Sequence, residues 1–118
     1  MTKGNVIVIM TDELRRDFLG CYGNPLVKTP HLDRLAARGA RVGAAYTPSP
    51  ICVPARAYIA TGRYVHETGC WSNSQPYHGA PDSWHHKLRQ SDRAISSIGK
   101  LHFRSTDDDN GFSEEIRP

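Results

Sequence analysis

The sequence lacks the features that mark several classes of protein. No apolar run approaches the ~20 residues that a membrane-spanning helix needs. The run NVIVIM is too short for a secretory signal and is followed at once by Asp12 and Glu13. The net charge is only +3 with His neutral, and basic and acidic residues are intermixed, which excludes a strong electrostatic surface for nucleic acid or membranes. We therefore expect a cytoplasmic protein that binds neither.

Cysteine is also scarce. Cys21, Cys52 and Cys70 have an irregular spacing, which excludes both a zinc-binding set and a disulfide framework. At least one of them must be unpaired. Cys21 and Cys70 are expected to be small buried apolar residues.

The order of elements predicts an α/β fold. NVIVIM (residues 5–10) is a β-branched run typical of a buried parallel strand. TPHLDRLAARG predicts a helix with Thr29 as N-cap, Pro30 at its first position, an apolar stripe and Gly39 at its end. ARVGAAYTP predicts a second strand. A second helix is expected from about Val53 to Thr61. The predicted stripes are Leu32, Leu35 and Ala36 in the first helix, and Ala55, Tyr58, Ile59 and Gly62 in the second.

The second half of the chain is less regular. Residues 64–83 are expected to form an irregular loop, SWHHKLRQ a weak helix, AISSIGKLHF an extended segment and TDDDNGFSEEIRP a polar tail without a closing helix. Together these elements predict a largely parallel sheet flanked by helices. One sheet edge would be uncovered, with bare apolar surface. We expect residues 1–118 to be the N-terminal part of a larger catalytic domain, without an internal boundary.

Asp12 and Glu13 are the first candidate site residues. They follow the first predicted strand, and ligands of open α/β sheets collect beyond the carboxyl ends of strands. Two adjacent carboxylates can bind a hard divalent cation. The alternative is a solvated acidic pair that opens a turn.

The segment PICVPARAYIATGRY carries the second candidate site. If a helix begins near Val53 or Pro54, Cys52 lies at its N-terminus, where free N–H groups and the helix dipole favour an anion. Arg56 is one turn further on and can reach back over the same face. Its guanidinium suits a tetrahedral oxyanion. The alternative is a buried cysteine beside a surface arginine.

GKLHF is the third candidate. In an extended segment Lys100 and His102 share one face and present donors to an anion, while Leu101 and Phe103 pack on the other. The alternative is a solvated strand edge.

Other polar residues receive weaker predictions. His66, Trp71 and Asn73 lie in the loop where a substrate pocket is often lined, and Asn73 is a candidate substrate-binding residue. His78, His85 and His86 are expected to be exposed, and DDDNG (Asp107–Gly111) is expected to be a solvated loop.

In order and spacing, these motifs resemble the N-terminal portion of the type I sulfatases of the alkaline phosphatase superfamily. The resemblance rests on NVIVIMTDE, GNPLVKTPHLDRLAARGARVGAAYT, CVPARAYIATGRY and IGKLHF, and covers nearly the whole chain. It implies a hydrolase that releases inorganic sulfate from an organic sulfate ester. By this resemblance a formylglycine-generating or anaerobic maturation enzyme oxidises Cys52 to formylglycine, whose hydrate is the nucleophile.

The resemblance also implies the other roles at the site. Arg56 would hold the formylglycine hydrate, Lys100 would contact the sulfate, and His102 would orient the nucleophile or the sulfate oxygens. Asp12, Glu13 and residue 52 would bind the metal, Ca²⁺ before Mg²⁺ or Mn²⁺. The family's remaining metal ligands lie far downstream of these motifs, so we expect the 118 residues alone to be inactive.

Two other functions are consistent with the same residues. One is a phosphonate monoester or phosphodiester hydrolase of the same superfamily, which uses the same formylglycine and metal. The other is a non-catalytic fragment or anion-binding domain, which predicts an unmodified Cys52. The sequence does not choose between choline, aryl and carbohydrate sulfates as substrate.

Overall fold

The structure, a computed structural model, describes residues 4–117. The chain forms two compact units, Met1–Ala45 and Tyr46–Pro118. None of the helices in the described part is both long and apolar enough to cross a membrane. The assignment of residues 1–118 to one catalytic domain stays a prediction.

Helix α1, Pro30–Arg38, organises the first unit and confirms the first predicted helix. Thr29 precedes it but its side chain does not cap it. Instead the Thr29 hydroxyl accepts a hydrogen bond from Gly20 N–H (2.8 Å) and donates one to Asp33 (3.0 Å). Asp33 also accepts from Cys21 N–H at 2.7 Å. These bonds fasten the start of α1 to a short 3₁₀ turn, Gly20–Tyr22, which follows another 3₁₀ turn, Arg16–Phe18.

The predicted strands at residues 5–10 and 40–48 are not formed, and the apolar side chains of the first are exposed. Val6 is 86% exposed and Ile9 is 83% exposed. A strand requires a hydrogen-bonded partner, and no strand pairing occurs in the described residues of this unit. The apolar stripe of α1 is also open, since Leu32 and Leu35 are exposed. The β-branched composition of residues 5–10 favours an extended strand, but no partner strand in the described residues of this unit pairs with it.

The second unit contains the core. Helix α2, Cys52–Thr61, is followed by the short α3, Val65–Thr68, inside the predicted loop, and by α4, Trp84–Gln90, as predicted. The buried residues of α2 are Val53, Pro54, Ala57 and Ala60, which lie on a different face from the predicted stripe of Ala55, Tyr58, Ile59 and Gly62. The core residues are Val53, Ala57, Ala60, Cys70, Tyr77 and Phe103.

Small residues on α2 explain this packing. Val53, Ala57 and Ala60 follow the i, i+4, i+7 spacing of one helix face. Alanine side chains leave room for the large rings of Tyr77 and Phe103, whose centroids lie 4.9 Å apart in an edge-to-face arrangement. The burial of Cys70 confirms its predicted role as a small apolar residue.

A two-stranded parallel sheet completes the second unit. Strand β1, Ser96–Ile98, falls in the predicted extended segment, and β2, Glu114–Ile116, pairs with it in the register Ser96 to Glu114. The fold class is therefore α/β, as predicted. The tail predicted to have no closing helix contains β2, whose backbone pairs with β1.

The DDDNG segment is not a fully solvated loop. Asn110 is only 2% exposed, and its amide donates to Ser105 O (2.8 Å) and the Glu115 carboxylate (3.0 Å). Gly111 has φ +87°, and a Cβ there would come within 2.5 Å of the His86 backbone nitrogen. A glycine is thus required where this segment crosses α4.

Candidate active site

The N-terminus of α2 carries Cys52. The helix begins at Cys52, one residue earlier than predicted, so this half-buried cysteine is the first helical residue. Ile51 occupies the N-cap position and has no side-chain acceptor. The Asn73 side-chain oxygen, 20 residues further along, accepts from Val53 N–H at 3.1 Å. The first turn that presents Cys52 is therefore tied to the loop that follows α3.

Arg56 connects α2 to the GKLHF segment. The guanidinium of this half-buried arginine donates to the backbone carbonyl of Lys100 at 2.6 Å. This bond joins two of the sequence-predicted candidates, which are far apart in sequence. An arginine can make such a bond and still offer donors, because its planar group carries five N–H bonds.

The GKLHF segment does not continue as a strand. β1 ends at Ile98, and His102 has φ +60°, a left-handed conformation uncommon outside glycine. The predicted facing nevertheless agrees with the burial of these side chains. Phe103 is buried in the core, Leu101 packs against it, and Lys100 and His102 are exposed. A strained residue at a candidate site is consistent with a functional constraint.

Asp12 and Glu13 belong to the first unit, where both are exposed. Glu13 also has a positive φ, +55°. Their carboxylates suit a hard divalent cation, which prefers several oxygen ligands. Across residues 4–117, no group of three His, Cys, Asp or Glu side chains could hold a metal ion. The donor chemistry fits, and a complete coordination shell needs ligands in addition to these.

The loop candidates differ in their surroundings. Asn73 contacts α2 as described, whereas Trp71 is 57% exposed. The ring of the exposed His66 stacks on Tyr64, with centroids 5.9 Å apart. Only Asn73 is linked to the candidate site by a contact on which a role can be argued.

Two histidines predicted to be exposed, His85 and His86, are buried. The Nδ1 atom of His86 accepts from Ser83 N–H (3.0 Å) and lies 2.7 Å from the Ser83 hydroxyl, while Nε2 lies 2.9 Å from Asp109 O. This serine–histidine–aspartate order resembles a hydrolytic triad. Ser83, however, is fully buried and caps α4, so the arrangement is structural. Ser83 before a helical pattern was the sequence signal for this cap.

Two of the strongly shifted pKa values belong to the buried residues His85 and Tyr77. Burial lowers the pKa of His85 to about 4, partly offset by a hydrogen bond to Asn110 O. Burial raises the pKa of Tyr77 to about 12. These shifts follow from desolvation of packed groups and do not mark a second active site.

The comparisons with known proteins agree with one family. The Sulfatase family model matches residues 4–105. An N-acetylglucosamine-6-O-sulfatase from Bacteroides thetaiotaomicron is 35% identical over 103 residues, covering 87% of this chain and 18% of the relative. A choline-sulfatase from Rhizobium meliloti is 32% identical over 114 residues, covering 97% and 22%.

A solved structure agrees as well. A protein in complex with its substrate, D-glucosamine-2-N,6-O-disulfate, superimposes with a TM-score of 0.78 at 32% identity. The match covers 84% of this chain and 20% of that one. The chain thus spans about a fifth of the length of these relatives.

Proposed function

Because the chain belongs to the sulfatase family, we propose that the natural protein hydrolyses small-molecule sulfate esters with a formylglycine made from Cys52. The observation that best supports this proposal is the Arg56–Lys100 hydrogen bond. It links the helix that begins at Cys52 to the segment that carries Lys100 and His102.

The proposed site residues suit an anionic substrate. Formylglycine, when present there, supplies a hydrated aldehyde as the oxygen nucleophile. Lys100 and Arg56 are cations, and cations lower the cost of bringing a sulfate ester against such a nucleophile. Their charge also stabilises the negative charge that builds on the sulfuryl oxygens. His102, which is exposed, is a donor or acceptor for those oxygens or for the nucleophile.

Asp12 and Glu13 are the proposed metal ligands within the described residues. Their hard oxygen atoms favour Ca²⁺, with Mg²⁺ and Mn²⁺ as alternatives. A bound divalent cation supplies Lewis-acid stabilisation of a reacting oxygen. The carboxylates themselves contribute the negative charge that retains the ion.

Two further parts of the proposal concern partners and location. Conversion of Cys52 requires a formylglycine-generating or anaerobic maturation enzyme as a transient partner. The cytoplasmic location stays a prediction. Among substrates, a sulfated amino sugar is the first to test, because the solved structure holds a disulfated glucosamine and the Bacteroides relative is named as an N-acetylglucosamine-6-O-sulfatase.

The test compares substrates on the natural protein, produced together with a maturation enzyme. Sulfate release is measured from glucosamine 6-sulfate, choline sulfate and an aryl sulfate, alongside hydrolysis of a phosphonate monoester. Cys52→Ala is the control that must lose activity. A kcat/KM for at least one sulfate ester above that for the phosphonate monoester supports the proposal. An equal or greater kcat/KM for the phosphonate would overturn it.

A further inference from the structure

Asn73 supplies the acceptor that helix α2 lacks at its start. The first turn of any helix has N–H groups without helical partners, and a side chain at the N-cap usually accepts from one of them. Ile51 holds that position here and has no acceptor. Val53 is 1% exposed, so an unpaired N–H there would be costly. The Asn73 oxygen, 3.1 Å from Val53 N, meets this need from a distant part of the chain.

The loop around Asn73 is held by its own hydrogen bonds. Trp71 N–H donates to Gly69 O and Gln75 N–H to Ser72 O, both at 3.1 Å. The hydroxyls of Ser72 and Ser74 lie 2.7 Å apart. Asn73 is exposed, so its contact with Val53 is not a by-product of core packing. The loop therefore presents a side chain to the turn that holds Cys52.

We propose that Asn73 is a positioning residue, whose side-chain oxygen caps α2 through Val53 N–H and thereby fixes the orientation of residue 52. The inference rests on the proposed function and deepens it. Val53 directly follows residue 52, so a shift of its peptide moves the nucleophile. A displacement of about 1 Å at a reacting group can cost roughly 10²-fold in rate.

This role differs from the direct substrate contact expected from the sequence. Capping uses the side-chain oxygen of Asn73, whereas binding a sulfate would use its NH₂ donors. Aspartate keeps an acceptor and removes the donors. Alanine removes both. The two roles therefore predict opposite orders of activity for these variants.

The experiment measures kcat and KM for sulfate ester hydrolysis by the natural protein carrying Asn73→Ala or Asn73→Asp, with rates normalised to the fraction of Cys52 converted. We expect Asn73→Ala to lower kcat roughly 10²-fold relative to the wild type. The kcat of Asn73→Asp should stay within a few-fold of the wild-type value. The added charge of aspartate weakens binding of an anionic ester, so kcat rather than KM is decisive. Gln75→Ala, which alters an exposed side chain of the same loop and keeps the Gln75 backbone N–H, should alter neither constant.

Hydrogen exchange at the Val53 amide provides the second readout. It should accelerate in Asn73→Ala and stay protected in Asn73→Asp. A kcat of Asn73→Asp at or below that of Asn73→Ala, or unchanged Val53 exchange in Asn73→Ala, would overturn the proposal. If the wild-type protein does not hydrolyse sulfate esters, the proposed function fails, and the exchange comparison still decides whether Asn73 caps α2.

Discussion

The guanidinium of Arg56 donates a hydrogen bond to the backbone carbonyl of Lys100 over 2.6 Å, although the two residues are 44 positions apart in sequence. The bond fixes the start of the GKLHF segment relative to α2. One arginine therefore has two tasks at the candidate site, since it carries positive charge and also holds a neighbouring segment in place. The next residue on α2, Ala57, is fully buried and holds the backbone at Arg56 in place.

Arg56→Lys tests this double task. Lysine keeps the charge but lacks the planar fork, so the bond to Lys100 O is lost or displaced. We expect kcat/KM for sulfate esters to fall by roughly 10²–10³-fold, as for loss of one preorganised donor. Arg63→Lys, an exposed position just after the same helix, is the matched control and should have little effect. Retention of full activity by Arg56→Lys would exclude a geometric role for the guanidinium.

His102→Gly tests whether the strained backbone serves function. Glycine tolerates φ near +60° without steric cost but gains entropy in the unfolded state. We therefore expect the free energy of unfolding to be unchanged or raised by up to about 1 kcal/mol, while activity is lost with the imidazole. Denaturant unfolding and kcat/KM measure the two effects.

Asp92→Gly is the control for this substitution. Asp92 has φ +54° and is also exposed, but it lies outside the candidate site. The free energy of unfolding of Asp92→Gly should change in the same direction as that of His102→Gly. The activity of Asp92→Gly should stay intact. A His102→Gly protein that remains fully active would remove His102 from the site.

Metal removal tests the roles of Asp12 and Glu13. Chelation should abolish sulfate ester hydrolysis, and added Ca²⁺ should restore it. Asp12→Asn should weaken Ca²⁺ affinity by roughly tenfold or more, because the site loses a ligand charge. Glu13→Gln should have the same or a smaller effect.

Calorimetric titration of Ca²⁺ into the apo protein measures the affinity. Asp17→Asn is the control, because Asp17 is exposed and already paired with Arg15. Equal Ca²⁺ affinity in the wild type and in Asp12→Asn would exclude Asp12 as a ligand.

The burial of His85 predicts a pH dependence of stability. Its pKa falls from 6.5 to about 4 on folding, chiefly through desolvation. Between those values the unfolded chain binds a proton that the folded protein does not, so the free energy of unfolding decreases as pH falls from about 7 to 4. The total loss is about 3 kcal/mol for this side chain, which is 5% exposed.

Denaturant unfolding at several pH values measures this slope. His85→Gln should be less stable at neutral pH and should lose the slope between pH 7 and 4. His78→Gln, which alters an exposed histidine, should keep it. An unchanged slope in His85→Gln would assign the dependence to another group.

Local signals in the sequence predicted the helices well. Pro30 and Gly39 bound α1 as predicted, whereas Gly62, predicted to lie on one face of α2, ends that helix in a left-handed conformation, and Ser83 caps α4. Each of these depends on residues within one or two turns of the element. The candidate residues Cys52 and Arg56 were found for the same reason, because their spacing is that of a single helical turn.

Pairing and burial were predicted less well because they depend on distant residues. Residues 5–10 have strand composition, yet a strand forms only against a partner. Glu114–Ile116, in a polar tail, became a strand because Ser96–Ile98 pairs with it. The burial of His86 depends on Ser83 and Asp109, of which only the first is near it in sequence. The cap from Asn73 to Val53 was likewise not visible in local spacing.

Mass spectrometry of the tryptic peptide Val42–Arg56 from the natural protein tests the central claim most directly. The claim requires residue 52 to be a formylglycine. We expect the peptide to carry an aldehyde in place of the Cys52 thiol, and to be trapped by a hydrazine reagent. An intact thiol in a protein that hydrolyses sulfate esters would contradict the proposed chemistry, and an intact thiol in an inactive protein would contradict the proposed function.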